Sequence, residues 1–73
     1  MNAQISGVEL TAREDAVLTL VLQGATSKAA GKRLGISART VEFHRANIMQ
    51  KLSARNVADL VRIVLDGRQI TPH

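Results

Sequence analysis

Residues that begin helices alternate with glycines that end them, except that the third helix has no such glycine, and this alternation constrains the fold more than any other feature of the sequence. The beginnings are at Thr11, Thr26, Ser37 and Asn56, and the glycines are Gly24, Gly35 and Gly67. Ser, Thr and Asn side chains accept hydrogen bonds from the free N–H groups of a first helical turn, and glycine closes a last turn. The alternation predicts helices over about 11–24, 27–34, 38–52 and 56–67.

Strand signals are absent from this pattern. There is one proline, Pro72, and no run of β-branched and aromatic residues with a period of two. We therefore expect an all-α, four-helix domain over residues 10–67, with a flexible N-terminal tail over 1–9 and a C-terminal tail over 68–73.

The size and composition of the chain exclude several classes of protein. Seventy-three residues without cysteine allow one domain with a thin core and neither disulfide nor thiolate metal site. No apolar run approaches the roughly 20 residues that cross a bilayer, and the N-terminus does not resemble a signal peptide. These features predict a cytoplasmic protein with no membrane contact.

Positive charge is concentrated in the middle of the chain. Ten Lys and Arg residues against six Asp and Glu give a net charge of +4. Between positions 28 and 55 the cations are Lys28, Lys32, Arg33, Arg39, Arg45, Lys51 and Arg55, opposed only by Glu42. Such a block attracts polyanions, so nucleic acid is a candidate partner, although a solvated surface has the same composition.

The second and third predicted helices are separated by the tight break Gly35-Ile36-Ser37. A short helix, a glycine-containing turn and a longer helix with a polar outer face make a helix-turn-helix, whose second helix can enter the major groove of DNA. Helical bundles contain similar corners, so this geometry alone leaves the partner open.

Several spaced motifs narrow the choice. They are Leu10-Thr11-Ala12-Arg13-Glu14, Gly24, Ser27-Lys28, Leu34-Gly35-Ile36-Ser37 and the continuous run from Arg39 to Leu52. Together they resemble the LuxR-type helix-turn-helix domain over residues 10–67. The stretch from Arg39 to Met49, followed by Leu60-Val61-Arg62, is most similar to the FixJ-type response regulators.

The resemblance implies sequence-specific binding of double-stranded DNA and transcription regulation, by a dimer on a pseudo-palindromic promoter site. It implies a recognition helix over 40–51 and a dimer contact on the fourth helix. RNA polymerase is a further candidate partner. No cofactor and no small-molecule ligand are expected in this domain.

The second helix departs from the family pattern at Ala29, Ala30 and Gly31. A glycine inside a helix costs about 1 kcal/mol relative to alanine. Gly31 therefore either weakens this helix or permits a close approach of the third helix.

Three residues of the third helix are candidates for contact with base edges. Glu42, Phe43 and Ala46 match the family positions that face bases, and they lie on the face opposite Val41 and Ile48 in a helical projection. The carboxylate could accept from a cytosine amino group, and the ring or methyl could meet a thymine methyl. The alternatives are core packing for Phe43 and orientation of a neighbouring arginine by Glu42.

A second set is predicted to contact phosphate, since hydroxyl, amide and cationic groups beside a groove fix the register of a protein on DNA. The set is Thr26, Ser27, Lys28, Ser37, Arg39, Thr40, Arg45, Asn47 and Lys51. Arg45 has an alternative role as an intramolecular partner of Glu14 or Asp15.

The fourth helix has more apolar residues than one core face needs. The predicted dimer surface consists of Ala58, Val61, Ile63 and Leu65, although these side chains could also close a monomeric core. We expect self-association to be weak and to be strengthened by DNA.

Enzymatic function is not expected. His44 has no nearby cysteine, second histidine or carboxylate pair that would make a metal or catalytic site. The alternative to DNA binding is a protein-interaction module that uses the same helices to hold a regulatory partner. RNA binding is disfavoured because stacking aromatics are nearly absent.

Overall fold

The computed structural model describes residues 3–5 and 7–67. Four helices follow a short hairpin: α1 (Ala12–Leu22), α2 (Ser27–Leu34), α3 (Ala38–Lys51) and α4 (Val57–Gly67). The expected all-α fold of four helices is confirmed, and the hairpin is an addition to it. No helix within the described ranges is long and apolar enough to span a membrane.

The helix ends follow the predicted capping residues. At the start of α1 the Glu14 N–H donates to Thr11 Oγ1 (3.1 Å), and the Thr11 N–H donates to Glu14 Oε1 (3.0 Å). This reciprocal capping box satisfies two backbone donors that the helix itself cannot use. Helix α2 ends at Gly35, whose φ of 71° is the left-handed conformation that glycine adopts without strain.

The start of α4 resembles a capping box but differs from a standard one in a single bond. The Asp59 N–H donates to Asn56 Oδ1 (2.8 Å), as expected of a cap. The Asp59 carboxylate, however, accepts from the Arg55 N–H (3.0 Å) rather than from that of Asn56. The reciprocal bond therefore closes one residue earlier than in a standard capping box.

The N-terminal segment corrects one prediction. Residues expected to form a flexible tail instead form an antiparallel hairpin of β1 (Ala3–Ile5) and β2 (Val8–Leu10). Ile5 and Leu10 are completely buried in the helical core, which explains why the segment is ordered against it. The tail predicted over 68–73 lies outside the described residues.

A single apolar core lies between the hairpin and the helices. Its buried side chains are Ile5, Leu10, Val17, Leu18, Leu20, Val21, Ala30, Val41, Ile48, Leu52, Leu60 and Val64. Strand β1 packs against α4 and β2 against α1, while α3 packs against both α1 and α2. The core thus holds α2 and α3 as a rigid pair, with the outer face of α3 free.

Gly31 marks the closest approach within this pair. A Cβ atom at this position would lie 2.5 Å from the backbone oxygen of Ile36 and 3.3 Å from the nitrogen of Ala38. The Ile36 N–H also donates to the Gly31 oxygen (3.0 Å). Of the two interpretations of Gly31, close approach to the start of α3 is therefore confirmed.

Candidate nucleic-acid interface

The outer face of α3 is the centre of the candidate interface. Val41 and Ile48 turn into the core and are each only 1% exposed. Glu42, Phe43 and Ala46 lie on the exposed side of the helix, as the helical projection predicted. The three candidates for base contact therefore form one surface.

Phe43 is not a core residue. Its side chain is 62% exposed, so the packing alternative for Phe43 is wrong. The ring makes an edge contact with His44, with ring centroids 5.7 Å apart and an interplanar angle of 65°. His44 itself is half-buried, and the described residues contain no cluster of side chains that could hold a metal.

Glu42 has no ion pair with Arg39 or Arg45 in the part of the chain that the structure describes. In the domain without DNA, Glu42 therefore does not orient a basic neighbour. Its carboxylate remains open to an external donor, such as the amino group of cytosine.

Two predicted phosphate contacts act as helix caps. Thr26 Oγ1 accepts from the Ala29 N–H (3.1 Å) at the start of α2. Ser37 Oγ accepts from the Thr40 N–H (3.0 Å) and lies 2.9 Å from Thr40 Oγ1 at the start of α3. All three hydroxyls are thus already engaged within the chain, at helix ends whose backbone dipoles favour anions.

The remaining predicted phosphate contacts differ in exposure. Lys28 and Arg39 are exposed, whereas Ser27, Arg45 and Asn47 are half-buried. Lys28 and Arg39 can therefore reach a partner without rearrangement.

Lys51 has an intramolecular partner that the sequence analysis missed. Its Nζ lies 2.7 Å from Glu14 Oε1, and the Glu14 side chain is only 6% exposed. The sequence predicts Glu14 or Asp15 as an alternative partner of Arg45, but Glu14 binds Lys51, 37 residues along the chain. No local pattern could have indicated a pair at this separation. Contact of Lys51 with phosphate stays a prediction, and it would compete with this ion pair.

The pKa of Glu14 reflects two opposing effects. Burial penalises the charged carboxylate, but hydrogen bonds from Lys51 and from the Thr11 backbone outweigh that penalty and lower the pKa below its ordinary value of 4.5. Glu14 is therefore ionised near neutral pH, and it joins the first turn of α1 to the end of α3.

The surface of α4 has both apolar and charged parts. Leu65 is 72% exposed and Ala58 is exposed, whereas Val61 and Ile63 are half-buried and Ile63 packs on the core. Asp59 binds Arg62 at 2.7 Å, and this hydrogen bond is the main cause of its lowered pKa. The predicted dimer set is thus split into two exposed and two partly covered side chains.

The exposed α3, held by α2 across a tight turn and accompanied by the exposed cations Lys28 and Arg39, defines a helix-turn-helix domain of the DNA-binding class. The family follows from the comparison of sequences. The chain belongs to the luxR family of bacterial regulatory proteins, since the family model "GerE: Bacterial regulatory proteins, luxR family" matches residues 8–64.

Individual relatives agree with this membership. The C4-dicarboxylate transport transcriptional regulatory protein DctR of Rhodobacter capsulatus is 50% identical over 50 residues, covering 68% of this chain and 25% of DctR. The transcriptional regulatory protein FixJ of Rhizobium meliloti is 47% identical over 58 residues, covering 80% of this chain and 28% of FixJ. UhpA of Escherichia coli is 43% identical over 58 residues, covering 80% of this chain and 30% of UhpA.

The matched segment therefore spans between 25% and 30% of the length of these relatives. No solved structure matches the chain significantly. The resemblance to LuxR-type domains of FixJ-like regulators is confirmed. The domain is a DNA-binding module of transcription regulation and not an enzyme.

Proposed function

We propose that this domain reads a specific promoter sequence by inserting α3 into the major groove of double-stranded DNA. The observation that carries the proposal is the exposed aromatic side chain of Phe43 on the outer face of α3. An apolar ring 62% exposed to water has no role in this domain's own core, whereas a thymine methyl would cover it.

The flanking groups support the same orientation. Lys28 in the first turn of α2 and Arg39 in the first turn of α3 are exposed and belong to the central basic block. Cations in these positions neutralise phosphates and fix the register, while Glu42, Phe43 and Ala46 meet base edges. Thr26, Ser27, Ser37, Thr40, Arg45, Asn47 and Lys51 complete the proposed phosphate contacts.

The proposed assembly on DNA is a dimer on a pseudo-palindromic site. Ala58 and Leu65 supply its exposed apolar contact on α4, with Val61 and Ile63 at the edge. A two-fold operator would then match the two-fold symmetry of the protein. The relatives are named as transcriptional or response regulators, so we assign the domain the corresponding DNA-binding role in the cytoplasm, with RNA polymerase as a further partner.

Fluorescence anisotropy with two labelled duplexes tests the proposal. One duplex is selected from a promoter library by binding to this domain, and the other is a random sequence of equal length. Phe43→Ala should reduce the preference for the selected duplex by roughly fivefold, the equivalent of about 1 kcal/mol for a base contact. Lys28→Ala is the matched control, and it should weaken binding of both duplexes by the same factor.

Two results would overturn the proposal. If neither duplex binds at low salt, the basic block is a solvated surface, and a protein partner replaces DNA. If Phe43→Ala weakens both duplexes equally, Phe43 supports the fold or general affinity and does not read bases.

A further inference from the structure

An open groove lies between the end of α1 and the outer side of α2. Leu20, Gly24 and Ala25 line it from α1 and the loop that follows, and Ala29, Lys32 and Arg33 line it from α2. We call it the α1–α2 groove. Its volume is about 490 Å³, which is within the range of small-molecule sites, although this groove is open to solvent along one side.

The groove has an apolar floor and a basic rim. Leu20 belongs to the core, Ala25 packs against it, and Ala29 is exposed. Lys32 and Arg33 are exposed, and neither takes part in an ion pair with another described residue. Two neighbouring cations without a counter-charge beside an apolar depression favour a partner with both aliphatic and acidic side chains.

The position of the groove separates it from the DNA interface. Ala29 and Arg33 are each two residues from Gly31, so each lies about 160° around α2 from it at 100° per residue. Gly31 faces the start of α3, since its closest neighbour would be the oxygen of Ile36. Ala29 and Arg33 are therefore on the side of α2 that faces away from the turn into α3, whereas Lys32 lies one helical turn after Lys28, at the edge of the groove nearest the proposed phosphate contacts. None of the proposed DNA contacts lines it.

We propose that the α1–α2 groove binds an acidic segment of a protein partner, with an aliphatic side chain on Leu20, Ala25 and Ala29 and carboxylates on Lys32 and Arg33. A DNA backbone would satisfy the two cations but would leave the apolar floor uncovered. The site goes beyond the DNA-binding function, and it allows the domain to hold DNA and a protein at the same time.

Titration of the ¹⁵N-labelled domain with a synthetic peptide tests this site. The probe is a 12-residue peptide that contains two leucines four residues apart, with Asp and Glu at the positions between and around them. We expect the largest amide shifts at Gly24, Ala25 and Ala29. Replacing both leucines by serine should weaken binding at least fivefold, because the apolar floor then stays uncovered.

Paired variants separate the groove from the DNA interface. Lys32→Ala/Arg33→Ala should weaken the peptide at least tenfold and leave the salt dependence of duplex binding unchanged. The matched double variant Lys28→Ala/Arg39→Ala removes the same charge. It should leave peptide binding unchanged and reduce the salt dependence of duplex binding. Thermal unfolding by circular dichroism establishes that both variants are folded before either titration is interpreted.

Three results would overturn the site: peptide shifts that lie outside the groove, equal binding of the serine peptide, or a reduced salt dependence of duplex binding in Lys32→Ala/Arg33→Ala. The last would assign the two cations to phosphate. The proposed DNA function would fail by a different result, in which the wild-type domain binds neither duplex.

Discussion

At position 31 only glycine fits the present backbone, because a side chain there would collide with neighbouring backbone atoms. A Cβ atom would lie 2.5 Å from the backbone oxygen of Ile36, whose N–H is hydrogen-bonded to the Gly31 oxygen, so the start of α3 would have to move. Alanine gains about 1 kcal/mol of helix propensity over glycine, but a clash with backbone in a packed domain costs more. We predict that Gly31→Ala lowers the free energy of unfolding by about 1–3 kcal/mol.

Urea unfolding monitored by circular dichroism measures this loss. Lys32→Ala is a suitable control, because it changes the neighbouring exposed residue on the same helix and should shift stability by less than about 0.5 kcal/mol. An unchanged or increased stability of Gly31→Ala would show that α2 and α3 can separate slightly without cost. The effect on the DNA-reading face would then also be small.

The Glu14–Lys51 pair makes stability depend on pH. The lowered pKa of Glu14 means that its carboxylate stabilises the fold fully above the ordinary pKa of 4.5. This contribution is lost as the pH falls from there through the pKa of the folded state. We predict that Glu14→Gln destabilises the domain by about 1–2 kcal/mol at pH 7, a range reduced because Lys51 is 39% exposed and solvent screens the pair.

The measurement is the free energy of unfolding at pH 7 and at pH 3, for wild type and for Glu14→Gln. The difference between them should shrink toward pH 3, because the stabilising contribution of the ionised carboxylate is progressively lost as the pH falls below 4.5. Lys51→Met, which keeps the aliphatic stem, should show part of the same pH 7 loss. A difference that is constant with pH would mean that Glu14 acts through its capping hydrogen bonds and not through its charge.

At the scale of elements, the sequence predicts the helices closely and misses the hairpin. Helix α2 runs over the residues expected for it, because Thr26 and Gly35 are strong end signals with a local cause. Strands β1 and β2 have three residues each, too few to show an alternating pattern. They are held by burial of Ile5 and Leu10 in the core. Strand β2 packs against the neighbouring α1, but β1 packs against α4 far along the chain, which no local signal reports.

The candidate interface also has one part that the sequence predicts and one part that it does not. The exposed face of α3 follows from the 100° helical period alone, so Glu42, Phe43 and Ala46 are found together on the surface. The ion pair that engages Lys51 depends on how α1 packs against α3. Tertiary packing decides such pairs, and the sequence indicates only Arg45 as an intramolecular partner of Glu14 or Asp15.

The hairpin is predicted to stabilise the whole domain, although the family match begins only at residue 8. Ile5 is completely buried, so Ile5→Ala removes a well-packed side chain and should cost about 2–4 kcal/mol. Thermal unfolding should show the midpoint falling accordingly. Val8→Ala, at a half-buried position of the paired strand, should cost less. Equal effects of the two changes would indicate that the hairpin is stabilised by strand pairing and not by the core.

At the scale of the whole molecule, charge should govern affinity for DNA. Binding that releases counterions from phosphates weakens linearly with the logarithm of salt concentration. Arg39→Ala and Lys28→Ala should each reduce that slope by about one, because each removes one phosphate contact. Anisotropy titrations between low and physiological salt measure the slopes. If both slopes equal that of wild type, these two side chains stay solvated in the complex.

Self-association is a second property of the whole molecule. Leu65 is 72% exposed on α4, and a carboxylate placed in an apolar two-fold contact would face its symmetry mate. We predict that Leu65→Asp abolishes weak dimerisation in sedimentation experiments and reduces cooperative binding to a two-half-site duplex. Phe43→Asp, which removes the other large exposed apolar side chain among the described residues, should leave dimerisation without DNA intact. If Phe43→Asp abolishes dimerisation and Leu65→Asp does not, the dimer contact lies on α3 and not on α4.

The packing of β1 against α4 brings the first and the last described elements of the chain side by side. In an engineered form limited to residues 3–67, a designed linker could therefore join α4 to β1, and new ends could be opened in the exposed stretch between α3 and α4 near Ser53 and Arg55. In such a circularly permuted domain α4 would come first and be followed directly by the hairpin. The order in which the elements are synthesised would change, while the face of α3 that meets DNA would keep its neighbours.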